Sequence, residues 1–365
     1  MAASMRGPLV TGPGPQVHGP ADDGAAPVPH GGDLDAARRR HPAATGPWLD
    51  LSTGINPQPY PVPLLAAQAW TRLPEASDEL ELRWTAARCY GAADPAMIVS
   101  APGTQALIQI LPRLLPSSRP GDVAVLGPTY AEHARSWSDA GHTVREVATL
   151  AGAAAADVIV VVNPDNPTGR LLAADDLAHA ARALHERGGL LVVDEAFIDV
   201  VEQTTVQPAS LVPRLPPSTV VLRSFGKTYG LAGLRLGFAI APEPIAAALC
   251  RMLGPWAVSG PALAIGRTAL ADAAWLSATQ ARFTVDVVRL DHLLNHAGFR
   301  LVGGTPLFRL VTHAHAGAIA DILGAHAIHV RRFAHAPGWL RLGLPGSERD
   351  WQQLEHASSA ARRAF

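Results

Sequence analysis

The architecture is read outward from Thr219-Val220-Val221-Leu222-Arg223-Ser224-Phe225-Gly226-Lys227, which continues through Gly230-Leu231-Ala232-Gly233-Leu234-Arg235-Leu236-Gly237. Residues 219–222 make a short β-rich run without polar alternation, as expected of a strand buried on both faces. Polar residues and glycines follow at once. The pattern recurs upstream: runs at 123–126, 158–162 and 190–193 each give way to polar or turn-forming residues, and they alternate with helical stretches such as 103–115 and 174–188. Such alternation predicts an α/β fold, a mainly parallel sheet covered by helices on both faces. Ligands of open α/β sheets lie beyond the carboxyl ends of the strands, so the residues just after each run are the candidates for chemistry.

Residues 76–260 are therefore expected to form a large domain. After 260 the sequence predicts a long helical stretch to about 297, strands at 308–311, 328–330 and 339–342, and a closing helix. That makes 261–365 a smaller α+β domain. Residues 30–75, rich in Pro and Gly, read as extended chain and turns contributing to the site and the small domain. Residues 1–29 are dominated by Gly, Pro and Ala without apolar periodicity and read as a flexible tail. No repeat of fixed period is seen.

The composition excludes several classes of function. With 48% hydrophobic and 17% charged residues in 365, the chain can bury a sizeable core. Thirty basic against 31 acidic residues give a formal net charge of -1, so no global field draws in nucleic acid or an anionic membrane. No apolar stretch reaches the roughly 20 residues that span a bilayer, and the N-terminus lacks the apolar core of a secretory signal; the cytoplasm is the default. Cys89 and Cys250 lie far apart, against both a disulfide framework and a thiolate zinc site. His313, His315, His326, His329 and His335 match no metal spacing, and no metal is expected.

Lys227, at a strand end among glycines, can approach a ligand closely, and a lowered pKa would make its amine nucleophilic. Taken alone, it reads more readily as a solvated surface lysine. Ser224 and Arg235 flank it with a hydroxyl and a planar guanidinium suited to a phosphate. Asp194 closes the run at 190–193, where a carboxylate can keep a heteroaromatic nitrogen protonated; a helix cap or structural ion pair is the plain alternative. Asn163-Pro164-Asp165-Asn166-Pro167-Thr168-Gly169 is a turn by composition.

Taken together, Pro102-Gly103-Thr104-Gln105, Pro128-Thr129-Tyr130, Asn163 to Gly169, Asp194-Glu195-Ala196-Phe197, Ser224-x-x-Lys227 and Arg235 resemble, in order, the fold-type I pyridoxal-phosphate enzymes, in the branch of the histidinol-phosphate aminotransferases. The resemblance runs from about residue 30 to the end. It implies a large domain with a mainly parallel seven-stranded sheet and pyridoxal 5'-phosphate as cofactor. It makes Lys227 the Schiff-base lysine and Asp194 the partner of the ring nitrogen. Backbone amides at Gly103 and Thr104, opening a helix, would hold the cofactor phosphate with Ser224 and Arg235. Tyr130 would stack on the ring, and Asn166 would donate to its phenolic oxygen. Many relatives carry Tyr where this chain has Phe197, so one hydrogen bond to that oxygen is missing. Arg341, in Trp339-Leu340-Arg341-Leu342-Gly343, occupies the position that grips the substrate carboxylate; Arg331 can meet a second anionic group, or, like Arg332, lie on a solvated face.

His30-Gly31-Gly32-Asp33 and Asp50-Leu51-Ser52-Thr53-Gly54-Ile55-Asn56-Pro57, with Leu126 to His133, look like the threonine-phosphate decarboxylases of cobalamin biosynthesis. By that resemblance His30, Gly31 and Gly32 lie near the substrate phosphate, and Asn56 joins the substrate-binding residues. The implied reaction is decarboxylation of L-threonine O-3-phosphate. The rivals are a histidinol-phosphate or aromatic amino acid aminotransferase, which shares every cofactor residue, and a cofactor-sensing regulator, for which residues 1–29 are too short to supply a DNA-binding module. A homodimer is expected from the family, with Tyr60 as candidate to reach the neighbouring subunit's site.

Overall fold

The computed structural model describes residues 30–115, 120–201 and 209–365; the expected flexible tail, 1–29, lies outside them. Seven strands form one twisted sheet: β1 (Ile98–Ala101), β2 (Asp122–Leu126), β3 (Thr143–Val147), β4 (Val158–Val162), β5 (Leu190–Asp194), β6 (Thr219–Ser224) and β7 (Gly237–Ile240). Their order is β1-β7-β6-β5-β4-β2-β3, and every pairing is parallel except the two made by β7. The expected seven-stranded, mainly parallel sheet is thus present. β4 and β5 are buried along their whole length, which is why they read as unbroken apolar runs. Val192 and Val220 face one core, with Val99, Val123 and Val160. Val193 and Val221 face the other, with Leu82, Leu126 and Phe238. Each such burial contributes about 1.5–3 kcal/mol, so the sheet is a rigid platform for whatever leaves its edge.

β3, β1 and β7 were not among the expected strands. β3 is an edge strand of mixed exposure and carries Arg145 and Glu146. β1 and β7 are four residues long and too short to show a period.

A separate four-stranded antiparallel sheet orders Arg331–Arg332, Trp339–Gly343, Phe308–Thr312 and Arg300–Thr305. Helices Ala316–Ala325 and Glu348–Ala364 cover it, the latter opened by a Ser347/Asp350 capping box. The expected helix from 260 to 297 is two helices. Gly260–Ala271 packs Ala262, Leu263 and Leu270 into the core of the large sheet, whereas Ala273–His296 carries Phe283, Leu290 and Leu294 into the core of the small one. Between the two, the Asp272 carboxylate caps the second helix by accepting from Trp275 N at 2.9 Å. Leu49–Asp50 pairs in parallel with Ile328–His329, stitching the N-terminal segment to the small core.

Candidate active site

The carboxyl ends of β1, β2, β4, β5 and β6 open on the same edge, because each runs parallel to its neighbour or is reversed twice through β7. Beyond that edge lies a cavity that opens to solvent, in the place where ligands of open α/β sheets bind. All eight expected cofactor residues line it: Gly103, Thr104, Tyr130, Asn166, Asp194, Ser224, Lys227 and Arg235.

β1 ends at Ala101; Gly103 then turns with φ +83° into the helix Thr104–Ile110. A Cβ on Gly103 would lie 2.7 Å from an Arg235 guanidinium nitrogen, and one on Gly237 2.6 Å from Thr104 N. Both positions demand glycine, and the result is a helix start beside a guanidinium; of the two amides expected to hold a phosphate, that of Gly103 donates to Ala101 O at 2.7 Å and is not available. Arg235 itself takes the left-handed conformation, φ +56°, one that non-glycine residues adopt at a cost of about 1 kcal/mol.

Asp194 is buried at the end of β5. Its Oδ1 accepts from Ala196 N at 3.0 Å and its Oδ2 lies 2.9 Å from Nε2 of the fully buried His133. His133 was not singled out from sequence: it lies in the first helical turn after Tyr130, where a histidine carries no distinguishing signal. Glu195, next in the chain, faces away and is satisfied by Ser210, Leu211 N and Arg223.

Lys227 leaves the one-turn helix Phe225–Thr228, its Nζ 5.7 Å from the centre of the Phe197 ring. Burial, then the charges of Arg341 and Arg235, lower its pKa to about 8 against a partial counter-effect of Asp194. It is also the sole lysine of the chain, a signal in plain view that sequence reading passed over. The lowered pKa has a consequence for stability without cofactor. The unfolded chain holds this proton up to about 10.5 and the folded chain only to about 8. Below pH 8 folding therefore carries the full cost, and between 8 and 10.5 wild-type stability should rise with pH. Lys227→Met, free of cofactor, should be more stable at pH 7 by about 2 kcal/mol, allowing for partial solvation at the cavity mouth, with the gain vanishing toward pH 10.5. Urea denaturation of both proteins across that range is the check; equal stability at pH 7 would contradict it.

Tyr130 donates its hydroxyl to Gln105 Oε1 at 3.2 Å; burial, then the Glu132 and Asp194 carboxylates, push its pKa up to about 12 and keep it neutral. Arg341 rises from the small sheet, buried at 6% exposure. It donates to Asn166 Oδ1, and to Ser52 O at 2.6 Å, which leaves the Asn166 amide nitrogen for another acceptor. Its Nε has no partner among the described residues, and burial with the nearby Arg331 charge lowers its pKa to about 10. Arg331 is half-buried, with its guanidinium 5.6 Å from the centre of the Phe333 ring, whereas Arg332 pairs with Asp321 away from the cavity.

Of the N-terminal candidates, His30 lies 3.0 Å from Glu132 and 6.1 Å, ring to ring, from Tyr130. Gly31 packs where a Cβ would meet Ser52 O at 2.4 Å. Three expectations need correction. The Gly32 amide donates to Ser52 Oγ at 2.7 Å and is not available to a substrate anion. Asn56 is scaffold rather than substrate contact: its Nδ2 donates to Thr228 O at 2.9 Å, its Oδ1 accepts from Arg282 and from Gln58 N, and its own amide donates to Lys227 O at 2.9 Å. It therefore fixes the turn that carries Lys227. Tyr60 is packed inside its own chain between Tyr229 and Trp275, with its hydroxyl on Asp272 at 3.3 Å, because three aromatic rings bury more apolar surface there than an extended Tyr60 would.

Residues 48–357 match the aminotransferase class I and II family. The chain is 43% identical over 333 residues to the threonine-phosphate decarboxylase of Pseudomonas aeruginosa, covering 90% of this chain and 96% of that one. It is 44% identical over 321 residues to the threonine-phosphate decarboxylase of a Sinorhizobium species, covering 88% and 94%. Among solved structures, histidinol-phosphate aminotransferase from Sinorhizobium meliloti in complex with pyridoxal-5'-phosphate superposes with a TM-score of 0.76 at 24% identity, over 92% of this chain and 96% of the other. At that identity the likeness bears on the fold alone.

Proposed function

Because the chain belongs to the aminotransferase class I and II family, we propose that its cavity holds pyridoxal 5'-phosphate and that it converts L-threonine O-3-phosphate to (R)-1-amino-2-propanol O-2-phosphate and carbon dioxide, as a threonine-phosphate decarboxylase. The observation that carries the reading is Arg341, a buried guanidinium that lies over the Phe308 ring at 5.0 Å, donates only to neutral oxygens, and has an Nε without a hydrogen-bond partner among the described residues. A buried cation so placed calls for an anion, and the carboxylate of an α-amino acid supplies one whose amine falls toward Lys227. Decarboxylation in preference to amino transfer is supported by the two relatives at 43% and 44% identity.

The residues fit the cofactor. Gly103 and Gly237 leave room for an anion between the helix start and Arg235, and Ser224 lines the same space. Tyr130 would lie against the ring, and Asn166, its oxygen already taken by Arg341, has only its NH2 to offer the phenolic oxygen. Phe197 offers that oxygen nothing, so Asn166 carries the contact without help from a phenol. When bound, pyridoxal phosphate supplies an aldehyde for the amine and a protonated ring that draws electrons from Cα.

The chain's own groups do the rest. Asp194, held by His133 and Ala196 N, keeps a carboxylate where a ring nitrogen needs its proton. Arg341 would grip and orient the substrate carboxylate. Lys227, its pKa lowered to about 8 by burial and neighbouring guanidinium charges, would hold the cofactor and would be the group to move a proton at Cα. His30, beside Glu132 and Tyr130, and Arg331, whose charge reaches Tyr130, would meet the substrate phosphate. No described helix is long and apolar enough to cross a membrane. The reading includes a homodimer, supported by exposed Val62, Leu64, Trp70, Leu73, Leu80 and Trp84 along one segment. A sedimentation mass of one 38.2 kDa chain at micromolar concentration would contradict that part.

The test is cofactor-loaded enzyme with L-threonine O-3-phosphate and no 2-oxo acid. Carbon dioxide and aminopropanol phosphate in equal amounts over many turnovers are expected. No release, together with glutamate formed from 2-oxoglutarate and histidinol phosphate, would establish the aminotransferase instead.

A further inference from the structure

His30, Glu132, Gln105 and Tyr130 form a chain of polar contacts across the cavity mouth. Glu132 divides its carboxylate between two partners: Oε1 lies 3.0 Å from His30 Nε2, and Oε2 accepts from Gln105 Nε2 at 2.8 Å. Gln105 in turn accepts from the Tyr130 hydroxyl at 3.2 Å. The two ends differ in freedom. Glu132 stands in the first turn of the helix Ala131–Asp139, and its side chain is 14% exposed. His30 lies on the segment before the helix Leu34–Arg40, and its side chain is 47% exposed. Glu132 is thus the anchor and His30 the arm.

A carboxylate–imidazole contact with one partner this open contributes little to stability. A carboxylate beside the entrance for an anionic tail would also repel that tail if left unpaired. Both facts are reconciled if the pair serves orientation. We infer that Glu132 is a specificity-determining positioning residue: it holds His30 over the cavity mouth, where the imidazole and the Gly31 backbone close round the phosphate of the substrate. The inference rests on reading the substrate as a phosphorylated amino acid. Gln105 gives the anchor its second point, so that Glu132 presents one oxygen to His30 in a fixed direction.

The experiment compares wild-type holoenzyme, Glu132→Gln, His30→Ala and the double variant, titrated with L-threonine O-3-phosphate and with L-threonine by the change in the cofactor's absorbance. Glu132→Gln should weaken the phosphorylated ligand roughly five- to tenfold, the value of one charge-assisted contact, with little change for threonine. In turnover the change should fall on KM rather than on kcat. Adding Glu132→Gln to His30→Ala should cost little more than His30→Ala alone. An equal loss for threonine, or a full loss persisting in the His30→Ala background, would overturn the inference and assign Glu132 to holding Tyr130 through Gln105. Tighter binding of the phosphorylated ligand would overturn it too, by showing that repulsion outweighs anchoring. If wild type releases no carbon dioxide from L-threonine O-3-phosphate, the substrate reading fails on its own. The same four proteins titrated with histidinol phosphate then still decide the role of Glu132, by a loss that depends on His30 or its absence.

Discussion

Lys227→Ala should yield a protein that binds pyridoxal phosphate only reversibly, lacks the visible absorbance of the lysine-bound cofactor, and decarboxylates at least about a thousandfold more slowly. Two separate contributions are lost. The amine that holds the aldehyde is gone, and so is the group placed to return a proton to Cα. Neither has a substitute. Lys227 is the chain's sole lysine, and no other side chain lining the cavity carries an amine. That scarcity makes the experiment unusually clean. Borohydride treatment of the wild-type holoenzyme should fix one cofactor per chain, in the peptide carrying Lys227, against a background with no other lysine. The alanine variant should fix none there. A yellow, fully active Lys227→Ala protein would refute the assignment of the site, because every other role argued above is placed relative to that amine.

Arg341→Lys should lower kcat/KM by about a hundred- to a thousandfold, the range expected when one partner of a buried charged contact is lost, and should not behave as a conservative change. The guanidinium reaches Asn166 and Ser52 O with its two terminal nitrogens and still holds Nε for a third partner. An ammonium can point at one of these directions well, and loses the fork that ties Asn166 to the substrate side. It would also sit in a buried place already crowded by the Arg331 charge, which favours shedding its proton. The discriminating measurement uses (R)-1-amino-2-propanol O-2-phosphate, which has no carboxylate. Its affinity should change little in Arg341→Lys while that of L-threonine O-3-phosphate falls. Equal losses for both ligands would mean that Arg341 supports the cavity rather than gripping a carboxylate.

Much of this site could be read in order along the chain, and the reason is geometric. A buried parallel strand must be apolar throughout, and the residue ending it must lie at the sheet edge where ligands bind. Asp194 at the end of β5, Lys227 just after β6 and Asn166 in the loop after β4 are legible on that ground. Asn56 shows the limit of the method. Its place in a polar, turn-rich segment made it look available, yet whether an amide is free depends on carbonyls and guanidinium groups that arrive from Thr228 and Arg282, far away in sequence. Tyr60 was misplaced likewise, because its burial is decided by Tyr229 and Trp275.

The α/β layering, the order of the strand-end residues and the amine at the centre follow from period, apolar continuity and residue chemistry, which are local properties of a chain. Packing between distant elements sets which polar groups are left with unmet hydrogen-bonding capacity. It brings His133 to Asp194, sets Glu132 between His30 and Gln105, and leaves the Arg341 Nε without a partner among the described residues. Each depends on distances of about 3 Å between residues from separate elements, and desolvation and partner supply at that range are settled by packing, which no local pattern encodes.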